Sequence, residues 1–356
     1  MASFLTGILG CLALAGMGLA TSMEPLQAKR AHADKLAANG VLLVVTKQAH
    51  ALAMVDGATL EVLARVPIGE DPHEVVVGPD GRTAFVSNFG EGTLHTLARV
   101  DLRSRQALPP VDTRPLVGPH GLSVHGQELW FTAVSSEALG RLDPLTGQLR
   151  AVLGTGQQNT HMLWISRDGN RMVASNAGSG TMSVFDRVIV QPNVVPGSPA
   201  PPASYTHEEW RMTLLPVGEK AEGFAVSPDE REAWVGNADG SISVLDLVSE
   251  KAVARFEVGA VGANRLRWTP DGARVLETTH TGKDLLVLDA HTRQVIRRVP
   301  IEERGASAIQ LDPAGERAFV ACPRDHFVAV VDLRTLQRVA TIDAGREPDG
   351  MTWWTP

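Results

Sequence analysis

Residues 71–88 read DPHEVVVGPDGRTAFVSN, which is an alternating apolar run, a Pro-Asp-Gly turn and a second alternating run. Period-two alternation is typical of a half-buried β-strand, and Pro, Asp and Gly favour turns, so this stretch predicts a β-hairpin. The pattern returns along the chain in full or divergent form. The copies are GPHGLSVHGQELWFTA (118–133), NTHMLWISRDGNRMVASN (159–176), KAEGFAVSPDEREAWVGN (220–237), GANRLRWTPDGARVLETT (262–279), GASAIQLDPAGERAFVAC (305–322) and EPDGMTWWTP (347–356).

The internal hairpins are followed by a third predicted strand with an Asp at its end, as in GSISVLD at 240–246, and then by a turn and a fourth strand. Four strands in a unit of about 42 residues are typical of a propeller blade. Seven first strands therefore predict an all-β fold, a seven-bladed β-propeller with four-stranded antiparallel blades.

The two ends of the chain are predicted to close the ring together. Residues 41–70 supply a second, third and fourth strand with no first strand before them, whereas the chain ends on a first strand. We therefore expect one propeller domain over residues 34–356. It contains a Pro-rich insertion, 187–210, between the third and fourth strands of its blade, which is either a decorated loop or a partner-docking loop.

Composition excludes several classes of protein. The chain has 356 residues, a net charge of −7 and two cysteines, and no run of Lys or Arg exceeds two residues. A disulfide scaffold is excluded, and no nucleic-acid partner is expected. Frequent turn residues argue against a wholly helical protein. A monomer is expected.

Residues 1–33 have the features of a secretory signal peptide. Residues 4–20, FLTGILGCLALAGMGLA, are uncharged and end in a small-x-small triplet, and Ala31-His32-Ala33 offers a second cleavage site, so cleavage is expected near 20 or 33. An uncleaved membrane anchor and a lipoprotein at Cys11 are the alternatives. The mature protein would be periplasmic or secreted, with Cys322 as its single thiol and no membrane contact beyond the signal peptide.

The second strands end in Phe85-Val-Ser-Asn88, Val173-Ala-Ser-Asn176 and Trp234-Val-Gly-Asn237. With the following Gly-Thr or Gly-Ser, the valine-rich strand with Asp, and Gly-x-x-Pro, this pattern resembles the YVTN β-propeller family and its seven-bladed lactonase-like relatives. The resemblance covers nearly all of the mature chain and implies the fold. It selects no function, because the family includes surface-layer proteins, periplasmic binding proteins and relatives of redox enzymes. Thr279 and Cys322 replace the Asn in two repeats.

One position at the start of each first strand should face the propeller axis, so its seven copies should form a ring. We call these the ring residues, and they are His73, His120, His161, Glu222, Asn264, Ser307 and Asp349. Neutral imidazoles beside carboxylates suit Zn²⁺ or Cu²⁺. The candidate metal ligands are therefore His73, His120, His161, Glu222, Asn264 and Asp349. The alternative is a polar, hydrated channel without a metal.

The loops between second and third strands should border the same end of the channel, which we call the mouth. A small polar or anionic ligand, or a partner protein, would meet their side chains there. The candidate mouth residues are Lys47, His50, Asn88, Asn176, Asn237, Arg265, His280, Arg324 and His326.

The first functional hypothesis is an exported binding module that recognises a ligand or protein at the mouth. The alternative is a metal-dependent hydrolase of lactonase type, with Glu222 or Asp349 as general base. A propeller associated with a redox enzyme is a weaker third hypothesis. The chain contains no Gly-x-Ser-x-Gly, Walker A, Cys-x-x-Cys-His or His-Glu-x-x-His motif, so whether it is an enzyme stays open.

Overall fold

The computed structural model describes residues 1, 40–191, 206–301 and 304–356. Its strands form seven four-stranded antiparallel sheets, each paired in the order first to fourth strand. The first strands of successive blades contact one another around the axis. The structure is the seven-bladed β-propeller that the repeats predict.

The blades are numbered from the first complete repeat, and a short 3-10 turn, Val134–Ser136, joins β9 to β10. The strands are β4 (Pro72–Val77), β5 (Thr83–Asn88), β6 (Thr96–Asp101) and β7 (Gln106–Asp112) in blade 1; β8 (Pro119–His125), β9 (Glu128–Ala133), β10 (Ala138–Leu142) and β11 (Leu149–Gly154) in blade 2; β12 (Thr160–Ile165), β13 (Arg171–Asn176), β14 (Thr181–Val190) and β15 (His207–Pro216) in blade 3; β16 (Phe224–Val226), β17 (Glu232–Gly236), β18 (Ser241–Asp246) and β19 (Lys251–Glu257) in blade 4; β20 (Ala263–Trp268), β21 (Arg274–Thr279), β22 (Asp284–Asp289) and β23 (Val295–Pro300) in blade 5; β24 (Ile309–Leu311), β25 (Arg317–Cys322), β26 (Phe327–Asp332) and β27 (Gln337–Ile342) in blade 6; and β28 (Pro348–Trp354), β1 (Val41–Thr46), β2 (Ala51–Asp56) and β3 (Val62–Pro67) in blade 7. Among the described residues no helix has the length and apolarity needed to cross a membrane.

The ring closes through the chain ends, as predicted. Strand β28 pairs antiparallel with β1, with Val41 opposite Trp354 and Thr46 opposite Pro348. Blade 7 therefore takes its first strand from the C-terminus and its other three from the N-terminal part of the domain. The closing contact joins residues more than 300 positions apart.

Trp353 and Trp354 pack the closing blade against both of its neighbours. The indole N–H of Trp353 donates to the Leu311 carbonyl in blade 6, and that of Trp354 donates to the Gly81 carbonyl in blade 1. Cys322 is fully buried at the end of β25. The two indoles thus link the closing blade to both neighbours, and the thiol lies in the core.

Burial is greatest in the second and third strands of the blades, whereas first strands such as β4 and β12 are half-buried along the channel. Strands β1 and β2 are buried at every residue, because neighbouring blades cover both faces of the sheet. The fourth strands β7 and β19 are mostly exposed. Stability therefore comes from packing between blades, and the hydrophobic clusters are built from adjacent sheets.

The Asp near the end of the third strand shapes the following turn in six blades. One of its carboxylate oxygens accepts the backbone N–H groups of the residues two and three positions later, which is an Asx-type turn. These residues are Asp56, Asp101, Asp143, Asp246, Asp289 and Asp332. This contact is the physical reason for the repeated Asp.

Blade 3 departs from this pattern because its insertion extends the two outer strands. Strands β14 and β15 each have ten residues, so the predicted insertion 187–210 begins and ends inside paired strand. Asp186 lies within β14 and pairs with Arg171 at 2.7 Å. Trp210 stacks edge-to-face on Trp130 of blade 2. Residues 192–205, which include Tyr205, lie outside the described residues, so the partner-docking hypothesis stays a prediction.

Candidate functional site

The ring residues are presented by an irregularity in the first strands. The pairing register between first and second strands shifts between Pro72 and Val75 in blade 1, and equivalent shifts occur in blades 2, 3, 5 and 7. A bulge places two successive residues on one side of a strand. The strict alternation expected from the sequence is therefore interrupted at the ring, and the residue after each ring residue also approaches the axis.

Three of these following residues are glycines, because neighbouring first strands approach very closely. A Cβ on Gly121 would lie 2.6 Å from the His161 carbonyl oxygen, and one on Gly223 would lie 2.0 Å from that of Asn264. A Cβ on Gly350 would lie 2.3 Å from the His73 carbonyl oxygen. The backbones pack where side chains would otherwise stand, and this contact fixes the spacing of the ring residues.

In blades 2, 3 and 5 a hydroxyl near the end of the second strand joins the bulge to the next blade. Thr132 Oγ1 accepts the Gly121 N–H and donates to the His161 carbonyl at 2.7 Å. Ser175 makes the same pair of bonds to Met162 and Glu222, and Thr278 bonds Arg265 N–H and the Ser307 carbonyl. The list of candidate residues from the sequence did not include these positioning groups. In the sequence these groups can be recognised as the Ser or Thr just before the last residue of the second-strand motif.

The three histidines predicted for the ring lie next to one another. His73 Nδ1 is 3.1 Å from His120 Nε2, and His120 stacks on His161 with ring centroids 3.9 Å apart. His73 also contacts two carboxylates, with Nε2 3.2 Å from Asp71 Oδ1 and Nδ1 3.4 Å from Asp349 Oδ2. In the structure these histidines and Asp349 are therefore neighbours, together with Asp71, which was not among the candidates from the sequence.

Further carboxylates and the ammonium of Lys47 lie beside the three histidines. Glu222 Oε2 lies 3.0 Å from His280 Nε2. Lys47 Nζ lies 3.9 Å from Glu347 and 4.0 Å from Asp349. We call the whole group the mouth cluster. Its members are Lys47, Asp71, His73, His120, His161, Glu222, His280, Glu347 and Asp349.

The environment keeps the two stacked imidazoles neutral. Burial lowers the pKa of His120 well below its ordinary value, and the nearby charges of His161 and His73 add to this effect. Burial, reinforced by the charge of Arg265, lowers the pKa of His161 to about 3. The Nδ1 atoms of both rings are buried without a hydrogen-bond partner. Each neutral ring therefore keeps polar capacity that the described protein atoms do not use.

Two carboxylates of the mouth cluster, Asp71 and Glu222, stay ionised. The hydrogen bond from His73 is the largest effect on Asp71 and lowers its pKa to about 2. Burial alone would raise the pKa of Glu222, but the hydrogen bond from His280 and the charges of His161, His280 and Arg265 outweigh it and lower this pKa to about 2. Four carboxylates of the mouth cluster thus face one ammonium.

A buried ion pair crosses the channel beneath the ring. Arg265 of blade 5 lies 3.0 Å from Glu74 of blade 1, and the two side chains are only 11% and 13% exposed. Burial disfavours the charged form of Arg265, but the carboxylates of Glu74, Asp349 and Glu222 outweigh this effect and raise its pKa. Arg265, expected at the mouth rim, therefore lies inside the channel, and its partner Glu74 was missed.

Four predicted asparagines have structural contacts rather than accessible amides. Asn264 donates to the Ala306 carbonyl and accepts from Arg265. The other three amides are buried and bond to groups of their own blade or the loop before it. Those residues are Asn88, Asn176 and Asn237.

The remaining predicted residues lie near the mouth cluster but are not among its members. His50 and His326 are in left-handed turn conformations, and His326 Nδ1 accepts the Glu347 N–H at 3.1 Å. Arg324 is exposed at its side chain and bonds the Arg304 carbonyl at 3.3 Å. The Oγ of Ser307 is buried without a partner. Within residues 40–191, 206–301 and 304–356, no three His, Cys, Asp or Glu side chains already converge as a metal site.

Comparison with known proteins gives the same fold. No family model matches the chain. A protein named YncE from Salmonella typhimurium is 22% identical over 145 residues, which are 40% of this chain and 40% of YncE. The matched stretch thus spans less than half the length of this curated relative.

Two solved structures illustrate the likeness of fold. The hydrazine synthase of Kuenenia stuttgartiensis matches with a TM-score of 0.64 and 17% identity, over 78% of this chain and 88% of that chain. A putative 6-phosphogluconolactonase from Bacteroides fragilis matches with a TM-score of 0.67 and 13% identity, over 88% and 98%. At such identities the likeness extends to the fold alone. The chain is therefore a seven-bladed β-propeller that is similar to YncE over 145 residues.

Proposed function

We propose that the protein is an exported binding module whose mouth cluster takes a small cation, a divalent transition-metal ion being the ligand its groups suit best. The observation that carries this proposal is the pairing of ionised carboxylates with neutral imidazoles whose Nδ1 atoms have no partner. Neutral imidazole and carboxylate are ligands for Zn²⁺ and Cu²⁺. The candidate ligands are His73, His120, His161, Glu222 and Asp349.

The charges of the mouth favour a cation over the anionic ligand considered from the sequence. Lys47 is placed between Glu347 and Asp349, and Arg265 is paired with Glu74. Neither cation is therefore left to attract an anion. A bound metal would require the His73 and His120 rings to turn, because their nitrogen atoms now face each other at 3.1 Å.

The two candidate general bases favour binding over hydrolysis, because neither is well placed to accept a proton. Glu222, with a pKa of about 2, is a weak base at neutral pH. Asp349 is occupied by Lys47 and His73. A lactonase-type reaction that uses either carboxylate as general base is therefore the less supported alternative. The redox-associated alternative is supported by a likeness of fold.

Calorimetric titration with Zn²⁺ and Cu²⁺ tests the proposal. We expect the double variant His120→Ala/His161→Ala to lose at least about tenfold in affinity. The matched control is His291→Ala, since His291 is exposed in a turn after β22. Equal affinity of the double variant and the parent, or no binding of either ion by the parent, would contradict the proposal. Lactone turnover by the parent that the double variant loses would favour the hydrolase.

Export is tested separately. We expect the N-terminus of protein recovered from the periplasm or the medium to follow residue 20 or residue 33. An intact N-terminus on membrane-bound protein would support the anchor instead.

A further inference from the structure

A second cavity lies in the channel on the other side of the Glu74–Arg265 ion pair. It has a volume of about 450 Å³, and its walls include both residues of the ion pair but none of the ring histidines. The volume is within the range of roughly 300–1,000 Å³ that is usual for small-molecule sites. We call it the lower cavity, since the bulk of it lies away from the mouth.

The walls of the lower cavity combine polar groups with apolar side chains, several of which are only half-buried. Six of the seven residues three positions after the ring residues face it, and Trp164 and Val76 are among them. Met162 and Phe224 are also half-buried in its wall. Apolar side chains that remain partly uncovered in a concave site of this size are typical of a ligand pocket.

Arg267 supplies a charge that is not neutralised within the described residues. Its Nε donates to the Ile309 carbonyl at 3.2 Å and its Nη2 donates to Gln310 Oε1 at 2.9 Å. Both acceptors are uncharged, and Glu74 is already paired with Arg265. The Arg267 side chain is exposed, so its guanidinium is accessible to a ligand.

Trp164 adds a flat surface and a second unused donor. In the described part of the chain its indole N–H makes no hydrogen bond, whereas the indoles of five other tryptophans each have an acceptor. A buried or half-buried indole commonly finds such a partner. An apolar face, an indole donor and an unpaired guanidinium therefore line the same cavity.

We propose that the lower cavity binds an organic carboxylate with a planar apolar body, the carboxylate on Arg267 and the body against Trp164 and Phe224. A planar carboxylate matches the fork of donors on a guanidinium. Because the ion pair separates this cavity from the mouth cluster, the site is independent of the proposed cation site. The two ends of one channel then take ligands of opposite charge.

Titration with 2-naphthoate, and with the uncharged 2-naphthamide of the same shape, tests the proposal on the parent protein. We expect 2-naphthoate to bind at least about tenfold more tightly, since the charge-assisted contact would be lost in the amide. No binding of 2-naphthoate, or equal binding of the two compounds, would overturn the proposal.

Variants locate the site. Arg267→Gln and Trp164→Leu should each weaken 2-naphthoate binding at least about tenfold. Arg99→Gln, which changes a half-buried arginine on β6 that does not line the lower cavity, should leave it unchanged. The His120→Ala/His161→Ala variant should also keep full 2-naphthoate affinity, so failure of the cation site and failure of this site are distinguishable. Unchanged affinity in Arg267→Gln would place the compound elsewhere and refute the assignment.

Discussion

Glu277 of β21 stands where the other blades carry apolar side chains, among them Val86, Phe131 and Val235. It is fully buried and neither carboxylate oxygen has a hydrogen-bond partner in the described structure. Burial raises its pKa to about 8, with Arg298 opposing the shift. The side chain is therefore a neutral acid in the folded protein at neutral pH.

Replacing Glu277 by Leu should stabilise the protein at pH 7. The pKa in the folded state is raised above the ordinary value of 4.5, so the parent's stability is greatest below pH 4.5 and falls as the pH rises to about 8. Glu277→Leu does not lose stability in this way. Its free energy of unfolding at pH 7 should therefore exceed that of the parent by on the order of 3 kcal/mol.

Urea unfolding at pH 4.5, 7 and 9 measures this difference. The advantage of Glu277→Leu should grow from pH 4.5 to pH 8 and then level off. Glu61→Leu, at an exposed position, is the control and should show no such growth. A stability difference that does not change with pH would show that Glu277 is ionised, or solvated, in the folded state.

The first strand of each blade is the element that builds the channel. Its bulge turns two successive residues toward the axis, and the hydroxyl of the second strand fixes the bulge to the next blade. Glycines at the second bulge position allow neighbouring backbones to meet. At Gly121, Gly223 and Gly350 a side chain would push apart the strands that carry the ring residues.

Gly223→Ala should therefore be costly, whereas Gly154→Ala should be tolerated. The new methyl at 223 would lie 2.0 Å from the Asn264 carbonyl oxygen, but nothing lies within 4 Å of one at 154. We expect a loss of about 1–3 kcal/mol for Gly223→Ala and a change within about 0.5 kcal/mol for Gly154→Ala. Thermal unfolding compares them, and similar melting temperatures would mean that the first strands separate easily.

The whole propeller depends on closure between β28 and β1, because every other blade is continuous in sequence. Strand β1 is buried at all six residues, and loss of its neighbour would expose an apolar edge. No disulfide closes the ring within the described residues, whose single cysteine is Cys322.

Deleting residues 347–356 should abolish cooperative unfolding and promote aggregation. A chain that begins at residue 34 is the control, because it keeps all 28 strands and should unfold like the full-length protein. Calorimetry and size-exclusion chromatography report the two properties. A deletion variant that remains monomeric with an unchanged melting temperature would show that the other six blades close without β28.

The repeat unit, the number of blades, the exchange of end strands and the alignment of the ring residues can all be predicted from the sequence. These features depend on local periodicity and turn chemistry, which a chain displays residue by residue. The sequence also predicted the cluster of His73, His120 and His161, because equal positions in equal repeats must meet at the axis.

Which of those groups are available to a ligand depends on contacts between blades, which the sequence does not show. Arg265 and Glu74 are 191 positions apart and pair because blades 5 and 1 face each other across the channel. Three other features likewise depend on which atoms lie within bonding distance in the folded protein. They are the bulge in the first strand, the ion pair of Lys47 with Asp349 and the hydrogen bonds of the Asn88 amide. Periodicity specifies which way a residue faces, but the charge and burial it experiences are set by neighbours from other blades.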